Sequence, residues 1–410
     1  MTDRAEAQAV QRQAAPNRAL IAAAGFAMQL AFGSVYGWSV FLNPLRELYG
    51  ASKLEVGLAF TVTLAVLGIV AGFGGALQRR FGPRAVATLA GLLYGAGVFL
   101  SGLAPSLPVL YLTYGLMGGV GLGLGYIVPL AVLIPWFPDK RGFITGLTVA
   151  GFGLGAFAAS PLATALIGAR GVGHAFLVLG AAYLVLVVAA AQFLRAAPED
   201  YAPPGWTPAR QASSIPARDH VLSEALRTPL WPVLWLILAL NVSAGAALLS
   251  VASPLAQEMV GAGTAEAAAL VSVMSVFNGV GRLLWGGLSD RIGRATTFFL
   301  LFAIQAVTFA AMAAVHDFAP LLACASVAAL CYGGGFGTMP AYAADVFGPK
   351  HAGTVYGAML TAWSAGAVIG PVLIASLPYR TALLVIVAIL AAAAPLPLLA
   401  TAMARRLTKV

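Results

Sequence analysis

The chain has 410 residues, of which 60% are hydrophobic and 9% are charged, and its mean hydropathy is +0.90. A water-soluble domain carries about 25% charged residues, so this composition excludes a soluble globular core. The pI near 9.8 would suit a nucleic-acid-binding protein, but the placement of the basic residues along the chain argues against that class.

Twelve apolar segments recur along the chain, each long enough to cross a hydrocarbon layer about 30 Å thick as a helix. In the first half of the chain they are predicted at residues 18–41, 54–78, 85–103, 107–134, 143–167 and 173–195. In the second half they are predicted at residues 229–253, 264–288, 295–315, 318–342, 352–376 and 380–403. The polar start leads into a segment longer than a signal-peptide core, so no cleaved signal is expected. The predicted fold class is an all-α membrane protein with twelve transmembrane helices in two six-helix, pseudo-symmetric bundles.

A long polar interruption separates the sixth apolar segment from the seventh. It is rich in proline, with Pro203 and Pro204 adjacent to each other, and this composition is typical of a linker. The predicted domains are therefore an N-terminal six-helix half at residues 1–195, a linker at 196–228 and a C-terminal half at 229–410.

The basic residues predict the orientation in the membrane. An even number of helices places both termini and the linker on one side, and most Lys and Arg residues fall in the loops of that side. The loops of the other side hold Arg46, Lys53, Arg170 and Arg380. By the positive-inside rule, both termini are expected in the cytoplasm, with the protein in the inner (plasma) membrane of a bacterium. The high pI is thus a signal of topology and of contact with the lipid bilayer, and no nucleic-acid partner is expected.

The two halves share a register. The segment GALQRRFGPR from Gly75 matches GGLSDRIGRA from Gly286, an offset of 211 residues (286 minus 75). The same offset, without a gap, relates five further pairs: Pro129 and Pro340, Trp136 and Phe347, Pro138 and Pro349, Gly142 and Gly353, Gly146 and Gly357. Such a set of matches in one register indicates an internal duplication.

One charge lies deep in a predicted helix. Arg282, in the stretch VFNGVGRLLWGGLSDRIGR, precedes Asp290 by eight residues and therefore lies about 12 Å from the helix end. A mid-helix Arg costs about 2.5–3.5 kcal/mol to insert, and all 14 Asp and Glu residues fall in loops, in the linker or at helix ends. We therefore predict an anion-binding site at Arg282, while an Arg satisfied by helix carbonyls and water remains the alternative. Asn278, four residues earlier, is expected on the same helix face.

Further polar and aromatic residues are predicted at a similar depth, about 9–18 Å from the same face. They come from both halves: Gln29, Tyr126, Phe152, Tyr332, Phe336 and Trp363. Convergence at mid-depth on both repeats is what a central substrate site requires. Asn241 is predicted to form a helix–helix hydrogen bond instead, and Ser34 and Tyr36 are predicted to lie higher, in the outer vestibule. No metal and no cofactor are expected.

Two six-helix halves, a linker and a Gly-x-Leu-x-x-Arg-x-Gly turn in each half resemble the major facilitator superfamily. The second-half turn consists of Gly286, Leu288, Asp290, Arg291, Gly293 and Arg294. The first-half turn includes Gly75, Arg80 and Gly82, with Arg79 at the position of Asp290. In that family the acidic residue belongs to a cytoplasmic gate latch. The resemblance therefore implies a latch in the second half and does not decide whether the first half has one.

A narrower resemblance covers nearly the whole chain. The segment GGVGLGLGYIVPLAVLIPWFPDKRGFITG, from Gly118 to Gly146, is similar to the oxalate/formate antiporter family, which lies close to the monocarboxylate porters. In the porters the position of Asn278 is often Asp. Oxalate-exchanging members carry a second basic residue, a Lys on the eleventh helix, and here that region offers Trp363 or Ser364. Within this resemblance, Arg282 is the single cation at membrane depth, which implies a singly charged substrate.

The sequence therefore predicts a secondary active transporter of small monocarboxylates, similar in size to lactate or pyruvate, working by alternating access with proton symport. A carboxylate antiporter is the alternative, and a membrane sensor that binds without transport is the alternative from another class. An enzyme is not expected, because the membrane segments carry no paired carboxylates, no Ser/His/Asp set and no metal cluster. The expected partners are a small organic carboxylate and possible protons, and the protein is expected to be a monomer.

Overall fold

The computed structural model describes residues 17–198, 201–203 and 219–407, without the side chains of residues 141–142 and 405–407. In this part of the chain, twelve helices are long and apolar enough to cross a membrane. The first six, α1 to α6, are Arg18–Gly37, Lys53–Phe81, Pro83–Ser101, Leu107–Trp136, Phe143–Arg170 and Val172–Ala191. The second six, α7 to α12, are Leu230–Val260, Thr264–Ile292, Arg294–Ala314, Phe318–Phe347, Ala352–Ser376 and Tyr379–Ala404. The predicted all-α fold with twelve spans is confirmed.

Several helices are longer than predicted. The first one tightens to a 3₁₀ turn at Ser34–Gly37 and continues after Trp38 as a further helix, Ser39–Tyr49. Helix α7 extends to Val260, beyond the predicted end at residue 253. Residues that the sequence placed near the end of a span, Tyr36 among them, therefore lie closer to the middle of the bundle.

The offset of 211 residues also relates features of the backbone. Helix α2 begins and ends at Lys53 and Phe81, and α8 begins and ends at positions 264 and 292. Gly82 and Gly293, which end these helices, have φ values of 79° and 87°, a conformation that glycine adopts readily. At the start of each helix, a Glu side chain accepts a hydrogen bond from the backbone three residues earlier. The duplication seen in the sequence thus corresponds to matched helix boundaries.

The two halves meet along two related interfaces. At the first, between α2 and α11, Gly68 packs against Ser364, whose hydroxyl donates to the carbonyl of Ala65 at 2.6 Å. At the second, between α5 and α8, Gly153 packs against Gly279. The offset of 211 residues converts the first contact into the second, because it relates 68 to 279 and 153 to 364. Small residues let helices of different halves approach closely at both places.

One end of the bundle, which we call the linker end, holds residues that flank the linker. The indole of Trp136 donates to the carbonyl of Arg195 at 2.7 Å, and the backbone of His220 donates to the carbonyl of Phe347 at 2.8 Å. Trp136 and Phe347 are a repeat-related pair, so each half anchors one side of the linker at the same position. Most of the predicted linker, including residues 204–218, lies outside the described residues.

At the opposite end, polar side chains join one half to the other. Arg46 forms an ion pair with Glu258 at 3.3 Å, and Asn43 donates to Gln257 at 3.4 Å. The ammonium group of Lys53 lies 3.8 Å from the centre of the Tyr379 ring. These contacts hold the halves together at the end opposite the linker.

The ion pairs at the linker end join helices of the same half. Arg18 binds Asp139 at 2.8 Å within the first half, and its hydrogen bonds hold the pKa of the Asp139 carboxyl below the ordinary value. Within the second half, Arg294 binds Asp290 at 2.6 Å and Asp345 at 3.0 Å. These pairs stabilise each half separately and leave the halves free to stand apart at this end.

We expect Gly155→Val to lower the melting temperature of the purified protein. A Cβ at Gly155 would overlap the backbone of Gly33 on α1, and overpacking of this kind costs about 1–3 kcal/mol. Gly168→Val, the same change on the same helix, is the matched control because a Cβ there meets no atom within 4 Å. Equal melting temperatures for the two variants would contradict the close approach of α1 and α5.

Candidate functional site

Arg282 lies in the interior of the bundle, where its side chain is 2% exposed. Its Nε donates to Oδ1 of Asn278 at 3.4 Å, and its Nη2 donates to the hydroxyl of Tyr36 at 3.4 Å. Both contacts are long for hydrogen bonds. The phenol of Tyr126 approaches the guanidinium, yet Nη1 is buried without a hydrogen-bond partner among the described residues. The same residues provide no carboxylate that pairs with Arg282.

The predicted Arg282–Asn278 arrangement is present, and glycines explain its position. The amide of Asn278 also donates to the carbonyl of Ala329 on α10, at 3.3 Å, so it ties the arginine-bearing face of α8 to α10. A Cβ at Gly333 would overlap the carbonyl of Asn278, and a Cβ at Gly337 would overlap the carbonyl of Arg282. The close approach of α8 and α10 therefore requires glycine at both positions.

Aromatic rings form the walls around the guanidinium. Its central carbon lies 5.5 Å from the centre of the Phe152 ring and 4.9 Å from that of Phe336. Cation–π contacts of this kind contribute about 2 kcal/mol when water is excluded. Because Phe152 belongs to α5 and Phe336 to α10, the cation lies between the two halves.

Further rings complete the enclosure, which we call the aromatic cage. Its members are Tyr36, Tyr126, Phe152, Tyr332, Phe336 and Trp363. Trp363 contacts Tyr126 at 5.2 Å, Phe152 at 5.7 Å and Phe336 at 4.5 Å between ring centres. The indole N–H of Trp363 is buried without a partner among the described residues. The cage thus contains two donors, this N–H and Nη1 of Arg282, that the described residues leave unsatisfied.

The vestibule prediction for Tyr36 is wrong. Tyr36 is fully buried, donates or accepts a 3.0 Å hydrogen bond with the hydroxyl of Tyr332, and contacts Arg282. The reason is the continuation of the first helix to Tyr49, which places Tyr36 at mid-depth. Ser34 also lies elsewhere than predicted, since its hydroxyl bonds to Tyr94 inside the first half at 2.8 Å.

Gln29 lies at the edge of this set. Its amide donates to the carbonyl of Tyr126 at 3.2 Å, and its Oε1 is buried without a partner among the described residues. The substrate role predicted for Gln29 stays a prediction. Asn241 donates to the carbonyl of Tyr332 at 3.2 Å and accepts from Gln305 at 2.9 Å, which is the helix–helix role expected of it.

Sequence reasoning missed Tyr356 altogether. Its phenol interacts with Tyr126 and with the charge of Arg282. Tyr356 precedes Trp363 by seven residues on α11, and this spacing places both on one helix face. This spacing from Trp363, a predicted substrate-site residue, is the signal in the sequence that could have identified Tyr356.

A cavity of about 570 Å³ leads from the linker end to Arg282. It runs between α4 and α5 of one half and α8 and α10 of the other, with Asp290 and Arg294 at its mouth and Arg282 and Phe336 at its inner end. Tyr332 lies one helical turn beyond Phe336, toward the opposite end, where it meets Tyr36. The site is therefore accessible from the linker end and covered on its other side.

The turn motifs differ between the halves. In the second half, Arg294 bridges Asp290 and Asp345. The offset of 211 residues places Arg79, Pro83 and Ile134 at the corresponding positions of the first half, so an equivalent bridge cannot form there. Other predicted residues of the motif have local roles: Gly286 packs near Gly337, Arg80 lies over the Phe81 ring, and Arg291 is exposed.

Known proteins have a similar fold or a related sequence. A bacterial homologue of the human lysosomal transporter Spinster, solved in an inward-facing and unoccupied conformation, superposes with a TM-score of 0.76 at 17% identity, covering 96% of this chain and 98% of that one. The oxalate:formate antiporter of Oxalobacter formigenes is 32% identical over 360 residues, which is 86% of this chain and 84% of the relative. The apicoplast pyruvate carrier 1 of Toxoplasma gondii is 30% identical over 347 residues, covering 69% of this chain and 62% of the relative.

The sequence also matches a whole family. The Major Facilitator Superfamily description matches residues 21–371 and, a second time, residues 239–408. The first match spans both halves of the chain, and the relatives named above are transporters rather than enzymes. The chain therefore belongs to the major facilitator superfamily and is a multi-pass membrane transporter.

Proposed function

We propose that this protein carries small monocarboxylates across the bacterial inner membrane, with Arg282 binding the carboxylate. The observation that carries the proposal is the buried guanidinium, whose Nη1 has no partner among the described residues, on a residue that lines a cavity. A charge in such surroundings is costly unless it is paired. An anionic substrate supplies the missing partner.

A carboxylate fits the geometry of this donor set. The guanidinium presents parallel N–H donors that match two carboxylate oxygens. Nη1 is free to donate, and Nη2 makes a long 3.4 Å contact with Tyr36, which a stronger acceptor can replace. The released Tyr36 hydroxyl can then donate to the bound carboxylate. Asn278 accepts a hydrogen bond from Nε, so the guanidinium keeps its orientation when the substrate binds.

The count of fixed charges favours one negative charge on the substrate. Arg282 has Ala71 as its repeat-related counterpart, so the duplication did not provide a second cation. Trp363, in the region where the oxalate-exchanging relatives have a Lys, is an uncharged member of the aromatic cage. A dianion would therefore keep one carboxylate unpaired in apolar surroundings.

The cage also favours a small organic body. The rings of Phe152, Phe336 and Trp363 offer apolar surface beside the guanidinium, which suits the short carbon chain of an acid such as lactate or pyruvate. Two relatives are named for small carboxylates, an oxalate:formate antiporter and a pyruvate carrier. Formate and pyruvate are monocarboxylates, whereas oxalate is a dicarboxylate.

Alternating access follows from the contacts between the halves. The linker end is open to Arg282, and the opposite end is held by Arg46–Glu258, Lys53–Tyr379 and Tyr36–Tyr332. To expose the site on the other side, these contacts separate while the cavity closes. The Gly68–Ser364 and Gly153–Gly279 interfaces lie between the moving halves. With the linker end in the cytoplasm, as the basic loops predict, the structure is inward-open.

For the coupling we propose proton symport, with carboxylate exchange as the second candidate. Asp, Glu and His residues do not contact Arg282 in the described part of the chain, so binding of a coupled proton depends on the Arg282–carboxylate pair itself. The lack of an acidic partner for Arg282 among the described residues also favours exchange. An empty carrier would have to change conformation with an unpaired buried charge, which is costly, whereas a carrier loaded with a carboxylate would not.

We expect Arg282→Lys to transport poorly although the charge is kept. Lysine cannot make the two-pronged contact, and the loss of one charge-assisted hydrogen bond, about 1.5–3 kcal/mol, weakens apparent affinity roughly 10- to 150-fold. Uptake of labelled lactate and pyruvate into liposomes containing the purified protein measures the effect. Near-normal uptake by this variant would rule out the carboxylate clamp. If the unchanged protein bound the acids without any uptake, the result would favour a membrane sensor that binds without transport.

Arg282→Met provides the matching stability control. Replacement of a buried ionic group by an apolar side chain is often stabilising, by about 1–4 kcal/mol, so we expect a higher melting temperature together with loss of uptake. A lower melting temperature would favour the alternative given in the sequence analysis, in which helix carbonyls and water satisfy the guanidinium.

The coupling is tested by the driving force. In liposomes without internal carboxylate, symport predicts that an inward proton gradient accelerates uptake of labelled lactate and that a protonophore abolishes the acceleration. Exchange predicts uptake that requires internal carboxylate and does not respond to the gradient. The Arg282→Lys liposomes serve as the background in both arms.

Trp363→Lys should extend recognition to dicarboxylates. The added cation supplies a second carboxylate partner, worth at least one charge-assisted hydrogen bond, so oxalate should inhibit lactate uptake about tenfold more strongly than in the uncharged control Trp363→Met. Equal inhibition in both variants would show that charge number at this position does not set the choice of substrate.

A further inference from the structure

A surface depression of about 630 Å³ lies at the linker end of the first half, away from the transport cavity. Its polar side is formed by Arg84 and Thr88 of α3 and by Gln192 and Arg195 at the end of α6. Gln192 donates to the Thr88 hydroxyl at 3.1 Å, which joins the two helices beneath the depression. The side chains of Arg84 and Arg195 are exposed and make no hydrogen bond or ion pair with the described residues.

An apolar groove of about 300 Å³ continues from this depression. Phe81, Ala85 and Leu89 line both spaces, and the groove adds Leu77, Val86 and Leu124. Phe81 and Leu89 are 56% and 48% exposed. Because α2, α3 and α4 are membrane spans, this groove opens toward the hydrocarbon near the linker end, while the depression lies at the interface.

The charges near this depression differ from those at the repeat-related turn of the second half. In the second half, Asp290 and Asp345 neutralise Arg294. In the first half the corresponding acidic positions are Arg79 and Ile134, and Arg80 lies over the ring of Phe81 at 5.2 Å. Around this depression, guanidinium groups therefore lie at the interface without an ion pair among the described residues, namely those of Arg79, Arg80, Arg84 and Arg195.

We propose that this depression and groove bind an anionic phospholipid of the surrounding bilayer. The phosphate lies between Arg84 and Arg195, which donate charge-assisted hydrogen bonds, and one acyl chain follows the groove past Phe81 and Leu89. A phospholipid satisfies both parts, whereas a free phosphate ion leaves the apolar groove exposed. The site is separate from Arg282, so it does not depend on the identity of the transported substrate.

Native mass spectrometry of the full-length protein tests the proposal. The purified protein is mixed with equal amounts of phosphatidylglycerol and phosphatidylcholine that have the same acyl chains, and the bound ratio is measured. Each basic residue near an anionic surface contributes about 1 kcal/mol, so two arginines give about a 30-fold preference for phosphatidylglycerol. Arg84→Gln combined with Arg195→Gln should bring the ratio close to one.

Arg227→Gln combined with Lys350→Gln is the matched control, because it removes two exposed basic residues at the linker end of the second half. The control should keep the preference. The proposal is overturned if the Arg84/Arg195 variant keeps its preference while eluting as a folded protein in size-exclusion chromatography, or if both double variants lose it equally. Displacement of phosphatidylglycerol by excess glycerol 3-phosphate would also overturn it, in favour of a soluble phosphate.

Discussion

A guanidinium keeps its charge at every pH the protein meets, and here it is held in the middle of an apolar bundle. The helices around it are arranged to tolerate that charge without neutralising it. Gly333 and Gly337 let α10 come close to α8, Asn278 anchors Nε, and the faces of Phe152 and Phe336 offer weak attraction. The remaining deficit is centred on Nη1, which has no hydrogen-bond partner among the described residues, and in the proposed mechanism a bound anion recovers it.

That deficit links occupancy to movement. The halves touch at Gly68–Ser364 and Gly153–Gly279 through small residues, which permit a rotation without disturbing the core of either half. Arg282 is already only 2% exposed, and closure of the cavity excludes the remaining water beside it, which is costly for an unpaired charge. In the proposed mechanism a bound carboxylate cancels most of that cost, so a loaded carrier closes more readily than an empty one. On this proposal, the same charge provides both recognition of the substrate and its coupling to the conformational change.

The sequence predicted what depends on local or repeated patterns. The twelve helices follow from apolar runs, and the shared face of Asn278 and Arg282 follows from helical spacing. It could not place Tyr36, because the turn at Ser34–Gly37 and the added helix to Tyr49 change its depth. Nor could it pair Tyr36 with Tyr332, since that contact depends on how two distant halves dock. Tyr356, in contrast, had a usable signal in its spacing from Trp363.

The duplication makes the divergence of the halves informative. The backbone has kept its register, down to the positive φ values at Gly82 and Gly293, whereas the charges have not. Arg282 corresponds to Ala71 and Arg294 to Pro83, so the second half carries both the buried cation and the ion-paired turn. A symmetric carrier with two opposed guanidiniums would face strong repulsion in a small apolar cage. One cation in one half avoids that repulsion, and aromatic side chains of both halves then surround the single guanidinium at which we propose that the carboxylate binds.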